Sequence, residues 1–236
     1  MMNIGILYIG IGEKYFSLYH DFKKSFDKNF LPNHNKHYFL ICDEEYGYEL
    51  HEDETRIIVE NEGWPYPILK RFEYFLKCDT EGMDYLFFIN GNAICQHQVN
   101  DEDVIPLREN DWLCGCTQKF MMVRNFDYES MGYFKKGLDP TFKGGLLGGR
   151  RKEFLEMCED CVEMIEQDLE RFGYPKYYDE VYFNTYALNK KVMKILPNIF
   201  SYFNFKNNLP KIVTRNKEKL FGNDFLKKLK GKDYHS

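Results

Sequence analysis

A length of 236 residues suits one domain, or one domain with a small appended tail. Hydrophobic residues make up 44% and aromatics 17%, which is enough for a large core and excludes disorder over the bulk of the chain. A net charge of -5 argues against a nucleic-acid binder, whose affinity rests on neutralising phosphates.

The chain opens with an apolar run, MMNIGILYIGIGEKYF, that lacks a basic leader and a small-residue cleavage site, so Ile4–Ile9 reads as the first strand. Further strands are expected at His37–Cys42, Arg56–Val59, Tyr85–Ile89 and Trp112–Cys116, all short and rich in β-branched or aromatic residues. Helical patterns lie between and after them, at Lys14–Phe30, Pro65–Cys78, Arg150–Phe172 and Asp179–Asn189. The alternation implies an α/β sheet with helices on both faces. Ligands of such sheets bind beyond the carboxyl ends of the strands, which directs attention to the loops after Ile9 and Ile89. Asn125–Pro140 reads as a surface loop, a candidate lid. No apolar run is long enough to span a membrane, so a reduced, cytoplasmic setting is expected. The seven cysteines are odd in number and scattered, and Cys158 and Cys161 fall on an apolar helical stripe, where cysteine packs as a small hydrophobe. The basic stretch Lys211–Lys232 suits contact with anions or with an anionic membrane surface.

Four segments carry candidate chemistry. After Asp84-Tyr-Leu-Phe-Phe-Ile the chain turns through Asn90-Gly91-Asn92. Asn-Gly is a turn signal, but the place is also one where sugar-nucleotide transferases hold Asp-x-Asp on a divalent cation. Asparagine offers only neutral carbonyls and amide donors there. Lys143-Gly144-Gly145-Leu146-Leu147-Gly148-Gly149 is either a tight bend before a helix or a site of close backbone approach to a ligand. Tyr177-Tyr178-Asp179-Glu180 opens a helix, where acids serve as caps; in a cleft, one of them could stabilise an oxocarbenium-like centre. Gly10-Ile11-Gly12 does not complete a dinucleotide fingerprint, since the third glycine is missing and no acid after the next strand is well placed for a nicotinamide ribose.

Taken together, these segments resemble glycosyltransferase family six, the family of the blood-group A and B transferases and α-1,3-galactosyltransferase, and most closely its short bacterial members. The likeness rests on Ile6-Leu-Tyr-Ile9 with Lys14-Tyr15, Gly63-Trp64-Pro65 with Leu69-Lys-Arg-Phe72, Asn90-Gly-Asn92, Gly144-Gly-Leu-Leu-Gly-Gly149, and Asp179-Glu180 with Asn184, in that order. Bacterial members carry Asn-x-Asn where the animal enzymes carry Asp-x-Asp.

The resemblance implies a single GT-A-type (Rossmann-like) nucleotide-sugar transferase domain with a mixed central sheet over residues 1–210, and a basic segment, 211–236, that closes over the donor diphosphate. It further implies a retaining transfer of Gal or GalNAc from a UDP-sugar to a galactose-containing glycan through an α-1,3 bond, with no metal cofactor. Glu180 takes the place of the family's catalytic glutamate. The donor falls to Ile9, Gly10, Ile11 and Tyr15 for the nucleoside, and to Arg71, supported by Trp64, with Asn90, Asn92 and Asp179 for sugar and diphosphate. Lys143, Gly144 and Gly145 lie where Gal and GalNAc are told apart, and Lys217 and Lys227 reach the diphosphate. Gln118, Asp127 and Tyr178 fall in the acceptor pocket, at positions that depart from the family pattern. A lipid-linked acceptor and peripheral contact with the inner membrane face fit the same reading. The competing reading is a catalytically inactive module that binds a sugar nucleotide or glycan, against which the Asp179-Glu180 pair counts.

Overall fold

The structure, a computed structural model, describes residues 1–105, 113–118, 131, 141–172, 179–190, 193–200, 210–225 and 228. In chain order the elements are β1 (Asn3–Ile9), α1 (Glu13–Phe16), α2 (Tyr19–Asn29), β2 (Asn35–Cys42), β3 (Glu54–Ile58), α3 (Tyr66–Leu69), α4 (Arg71–Leu76), β4 (Tyr85–Ile89), β5 (Ala93–Cys95), α5 (Asp101–Val104), β6 (Leu113–Gln118), β7 (Thr141–Arg150), α6 (Arg151–Phe172), α7 (Asp179–Lys190), β8 (Met193–Leu196), β9 (Ile212–Thr214) and α8 (Lys217–Phe221). Seven strands form one sheet in the order β3-β2-β1-β4-β7-β6-β8. The strands β3, β2, β1 and β4 run parallel, β7 is antiparallel to both β4 and β6, and β8 is parallel to β6. The sheet is therefore mixed, as expected. The carboxyl ends of β1, β2, β4 and β6 meet the amino end of β7 at one edge.

Alternate strand residues feed two cores. From β1 and β4, Ile4, Ile6, Tyr8, Phe87 and Ile89 pack with Phe22 and Phe26 of α2 on one face. On the other, Leu7, Leu86 and Phe88 pack with Phe72 and Phe75 of α4 and with Phe154, Met157, Cys158 and Cys161 of α6. The two cysteines of the helical stripe are fully buried there, as core packing requires. Helices cover both faces, and the central strands read as near-continuous apolar runs because neither face meets water.

Three elements depart from the sequence-based expectations. The helix expected over Lys14–Phe30 breaks at Ser17, whose hydroxyl donates to the Lys14 carbonyl at 2.9 Å, a side-chain bond that competes with helical continuation. The helix expected over Pro65–Cys78 is interrupted at Lys70, with φ −86° and ψ 5°. The glycine-rich segment, for which one reading was a bend, is strand β7. Its glycines pack rather than turn: a Cβ on Gly148 would lie 2.1 Å from the Phe87 ring on neighbouring β4.

Following Pro210, β9 pairs antiparallel with β5. Of the loop expected over Asn125–Pro140, only Met131 is among the described residues; its amide donates to the buried Asp168 carboxylate at 2.8 Å.

Candidate active site

The site is built around a disturbance in β7. Between the pairs Gly115↔Leu147 and Thr117↔Phe142 the register shifts, so that two steps along β6 face five along β7. The four residues Lys143 to Leu146 thus stand against Cys116 alone, at the sheet edge where β4 ends opposite Leu146. A bulge frees backbone groups from the ladder, and buried ones must find other partners. Here they do. The Gly144 amide donates to Glu180 Oε1 at 2.6 Å, and the Gly144 carbonyl accepts from Arg71 Nη1 at 2.8 Å. The Gly145 carbonyl accepts from the Asn90 amide at 3.0 Å. Three residues expected in the site, from three different elements, thus converge on one bulge.

Arg71 begins α4 and is 4% exposed. Its Nη1 lies 2.7 Å from Asp179 Oδ2, an ion pair closed off from solvent on both sides. Phe72 and Phe88 lie 4.7 and 5.2 Å from its guanidinium carbon. Two of its nitrogens, Nε and Nη2, are buried without a hydrogen-bond partner among the described residues. Gly144 makes room for this arrangement: a Cβ there would stand 3.0 Å from Nη1 and Nη2. The space beside Gly144 therefore belongs first to Arg71.

Asp179 and Glu180 open α7, where carboxylates are favoured by the helix dipole. Burial pushes the Asp179 carboxyl up to about 6, with Arg71 opposing the shift and the Glu180 charge adding to it. A folded-state value above the ordinary 3.8 means that this group's stabilising contribution is complete below pH 3.8 and is lost as pH rises through 6. Asp179→Asn removes that titration. Relative to the parent, the variant is expected to gain about 2–3 kcal/mol between pH 4 and pH 7. Melting curves of both proteins across that range check it; a difference that does not change with pH would return Asp179 to an ordinary carboxyl.

The loop Asn90–Ala93 is a turn, closed by the Ala93 amide on the Asn90 carbonyl at 2.8 Å, as the Asn-Gly signal led one to expect. Asn92 is 2% exposed and faces the C-terminal segment: its amide donates to the Arg215 carbonyl at 2.6 Å, while its own carbonyl accepts from the Arg215 amide at 2.9 Å. Asn90 is half-buried at the edge.

Ile9 ends β1 and Gly10 and Ile11 follow it along the same edge, with the Gly10 amide donating to the Ile41 carbonyl of β2. Tyr15, on α1, is held from below by Tyr8, whose hydroxyl donates to its carbonyl at 2.7 Å. Its ring meets Phe221 and Phe225 at 5.9 and 5.8 Å, and the Lys217 ammonium sits 5.1 Å over it. Lys217 and Tyr15 are thus neighbours, although the chain separates them widely. Trp64 is half-buried just before the helix pair that carries Arg71, and Lys143 is half-buried on the bulge. Gln118 ends β6 at the site edge, paired with Thr141. Asp127, Tyr178 and Lys227 lie outside the described residues.

Sequence reasoning missed two contributors. Asp43 directly follows β2 and accepts from the Gly12 amide at 2.8 Å, the Tyr46 hydroxyl and the Asn61 amide. Those bonds hold its carboxyl below the usual range against the cost of burial. An acid is therefore placed after the second strand, and it is spent on holding the Gly10–Gly12 loop. Asn184 is the other, buried and bonded to both α7 and β7. It stood in the family pattern with no role attached.

No protein-family model matches the chain. The chain is 28% identical over 229 residues to the O-antigen biosynthesis glycosyltransferase WbnI of Escherichia coli, in an alignment that covers 92% of this chain and 96% of that protein. A mixed sheet covered by helices on both faces is the architecture of a single GT-A-type domain. Fold and similarity together indicate a glycosyltransferase, and with it a nucleotide-sugar donor and a glycan acceptor. Among the described residues, no helix is long and apolar enough to cross a membrane.

Proposed function

We propose that this chain is a retaining hexosyltransferase that moves Gal or GalNAc from a UDP-sugar to a galactose-containing glycan in α-1,3 linkage, without a divalent metal. The observation that carries the reading is Arg71. A buried guanidinium with two unspent nitrogens is set for an anionic or hydroxyl-rich ligand, because buried donors in native proteins are normally paired. Charge-assisted bonds from arginine to phosphate are among the stronger ones available, and they supply the neutralisation that carboxylate-bound cations give elsewhere. Lys217, and Lys227 beyond the described residues, complete the cationic set in the proposal.

In this reading Glu180 faces the anomeric carbon. One oxygen is fixed by the Gly144 amide, and Oε2 has no partner among the described residues. As a nucleophile it would give a covalent glycosyl intermediate; as an electrostatic group it would stabilise the oxocarbenium-like transition state of a front-face reaction. Asp179, Lys143 and Gly145 border the donor sugar. Since Arg71 fills the space beside Gly144, the choice between Gal and GalNAc is assigned to Lys143 and Gly145. Gln118, with Asp127 and Tyr178, is assigned to the acceptor. The E. coli relative's role in O-antigen biosynthesis brings an O-antigen-type bacterial glycan to the proposal. A lipid carrier on that acceptor, and a peripheral membrane contact through the basic stretch Lys211–Lys232, belong to it as well.

The test is a screen of UDP-Gal, UDP-GalNAc, UDP-Glc and UDP-GlcNAc for transfer and hydrolysis, with and without EDTA. Turnover is expected with a galacto-configured donor and should survive EDTA within a few-fold. An absolute dependence on Mn²⁺ sinks the metal-independent part. Tight UDP binding with no turnover of any donor leaves the inactive-module reading.

A further inference from the structure

We infer that Asn184 is a positioning residue for Glu180: its side-chain amide sets the register of α7 against the β7 bulge, and so places the glutamate. The inference rests on the proposed role of Glu180, but its first readout does not.

Asn184 is fully buried and makes three side-chain bonds. Oδ1 accepts from the Phe142 amide at 2.7 Å, and Nδ2 donates to the Phe142 carbonyl at 2.9 Å and to the Glu180 carbonyl at 2.7 Å. The amide thus pairs with both backbone groups of one strand residue, as a neighbouring strand would. With its remaining hydrogen it grips the turn of helix that bears Glu180.

The spacing makes this a ruler. Asn184 and Glu180 are four residues apart on a helix, about 6 Å of rise. Phe142 and Gly144 are two residues apart where the bulge begins, a reach of at most about 7 Å for an extended chain. The two rows are commensurate, so pairing Asn184 with Phe142 brings Glu180 level with Gly144, where the 2.6 Å bond forms. Slipping α7 by one residue would swing Glu180 about 100° around the helix, off Gly144.

Docking of α7 does not itself need the amide. Val181, Tyr182, Phe183, Tyr186 and Ala187 are buried, and the Phe183 and Phe142 rings meet edge to face at 6.2 Å. Apolar burial of that kind holds the helix down but is non-directional, so it leaves the register along the strand loosely set. The two directional bonds to Phe142 fix it, and the third ties the Asn184 amide to the turn that carries Glu180. The Asn184 amide is satisfied on its oxygen and on both hydrogens, the arrangement in which buried polar groups specify one geometry.

The experiment uses glycine-¹⁵N-labelled protein and follows the Gly144 amide, assigned by its loss in Gly144→Ala. A short bond to a carboxylate shifts that proton downfield, and Glu180→Gln serves as the control that weakens it. In Asn184→Ala and Asn184→Thr the resonance is expected to move upfield or split into several positions, with the rest of the glycine spectrum unchanged. Once a donor is identified with the parent protein, the same variants should lower kcat on the order of a hundredfold, while KM for the donor stays within a few-fold. A folded variant whose Gly144 resonance stays at the parent position overturns the inference. So does failure of both variants to fold, which would make Asn184 a general folding residue. If the parent turns over no donor, the proposed function fails, and the positioning of Glu180 is still judged by the Gly144 resonance.

Discussion

Glu180→Gln is expected to lower kcat about 10²–10³-fold with donor affinity held within a few-fold, by analogy with loss of a preorganised electrostatic group. The substitution isolates charge from geometry. A glutamine oxygen can still accept from the Gly144 amide, the bond that Glu180 Oε1 makes at 2.6 Å, so the bulge keeps its partner. What disappears is the negative charge that would be worth more beside an oxocarbenium-like centre than beside the ground-state sugar. An interaction made mainly in the transition state lowers kcat and kcat/KM together when it is removed. Were Glu180 only an acid at a helix start, the change would cost about 1 kcal/mol or less and leave turnover intact. Turnover, UDP-sugar titration and a melting curve for parent and variant separate these cases. A variant that melts, binds and transfers like the parent takes Glu180 out of the mechanism.

Arg71→Met should damage both stability and donor binding. Methionine retains much of the volume among Phe72 and Phe88 while deleting the partner of Asp179. Breaking a buried ion pair by removing one member typically costs about 3–5 kcal/mol. In a domain of this size that corresponds to a fall in Tm on the order of 10 °C. The loss carries a pH signature. Without the guanidinium, which opposes the rise of the Asp179 carboxyl, that carboxyl is pushed above its parent value of about 6. The stability deficit should therefore be large at pH 8, where Asp179 is forced to ionise, and smaller at pH 5, where a proton stands in for Arg71. Adding Asp179→Asn should restore much of the deficit at pH 8. Equal losses at both pH values, or no recovery in the double variant, would mean that the pair is not the source of the instability.

The layout of the sheet was readable because its strands advertise themselves. Tyr85–Ile89 is five apolar residues bounded by Asp84 and Asn90, and it is β4 with the same limits. Helices α6 and α7 likewise follow from apolar periodicity and an acidic start. Strand β7 was not readable, for a physical reason. Glycine has low strand propensity, and its presence here answers neighbours far away in sequence: the Phe87 ring over Gly148 and the Arg71 guanidinium against Gly144. The bulge was hidden for the same reason, since it exists only in the register of β7 against β6. Arg71 sits among aromatic and charged residues that look like any amphipathic helix, and only the likeness to a family singled it out. Asn184 sat in plain view in a helix interior, where asparagine is a poor helix former. A buried amide with no local cap to serve was a signal that a pattern search could have used.

Asn92 bears on any attempt to redesign this loop. A metal-binding Asp-x-Asp differs from Asn90-Gly-Asn92 by two side-chain atoms, which makes the exchange look like a local graft. It is not local at Asn92. The nitrogen that would become an oxygen is the one that donates to the Arg215 carbonyl at 2.6 Å. An aspartate in that position would set oxygen against oxygen in a site with 2% exposure, turning a bond into a repulsion and leaving two buried acceptors unpaired. The backbone that follows, from Arg215 into α8 and on to the rings around Tyr15, would have to be re-seated before a carboxylate at 92 could turn toward an ion. The second asparagine of the pair is therefore a hinge pin of the C-terminal segment. An exchange at this position is felt 123 residues downstream.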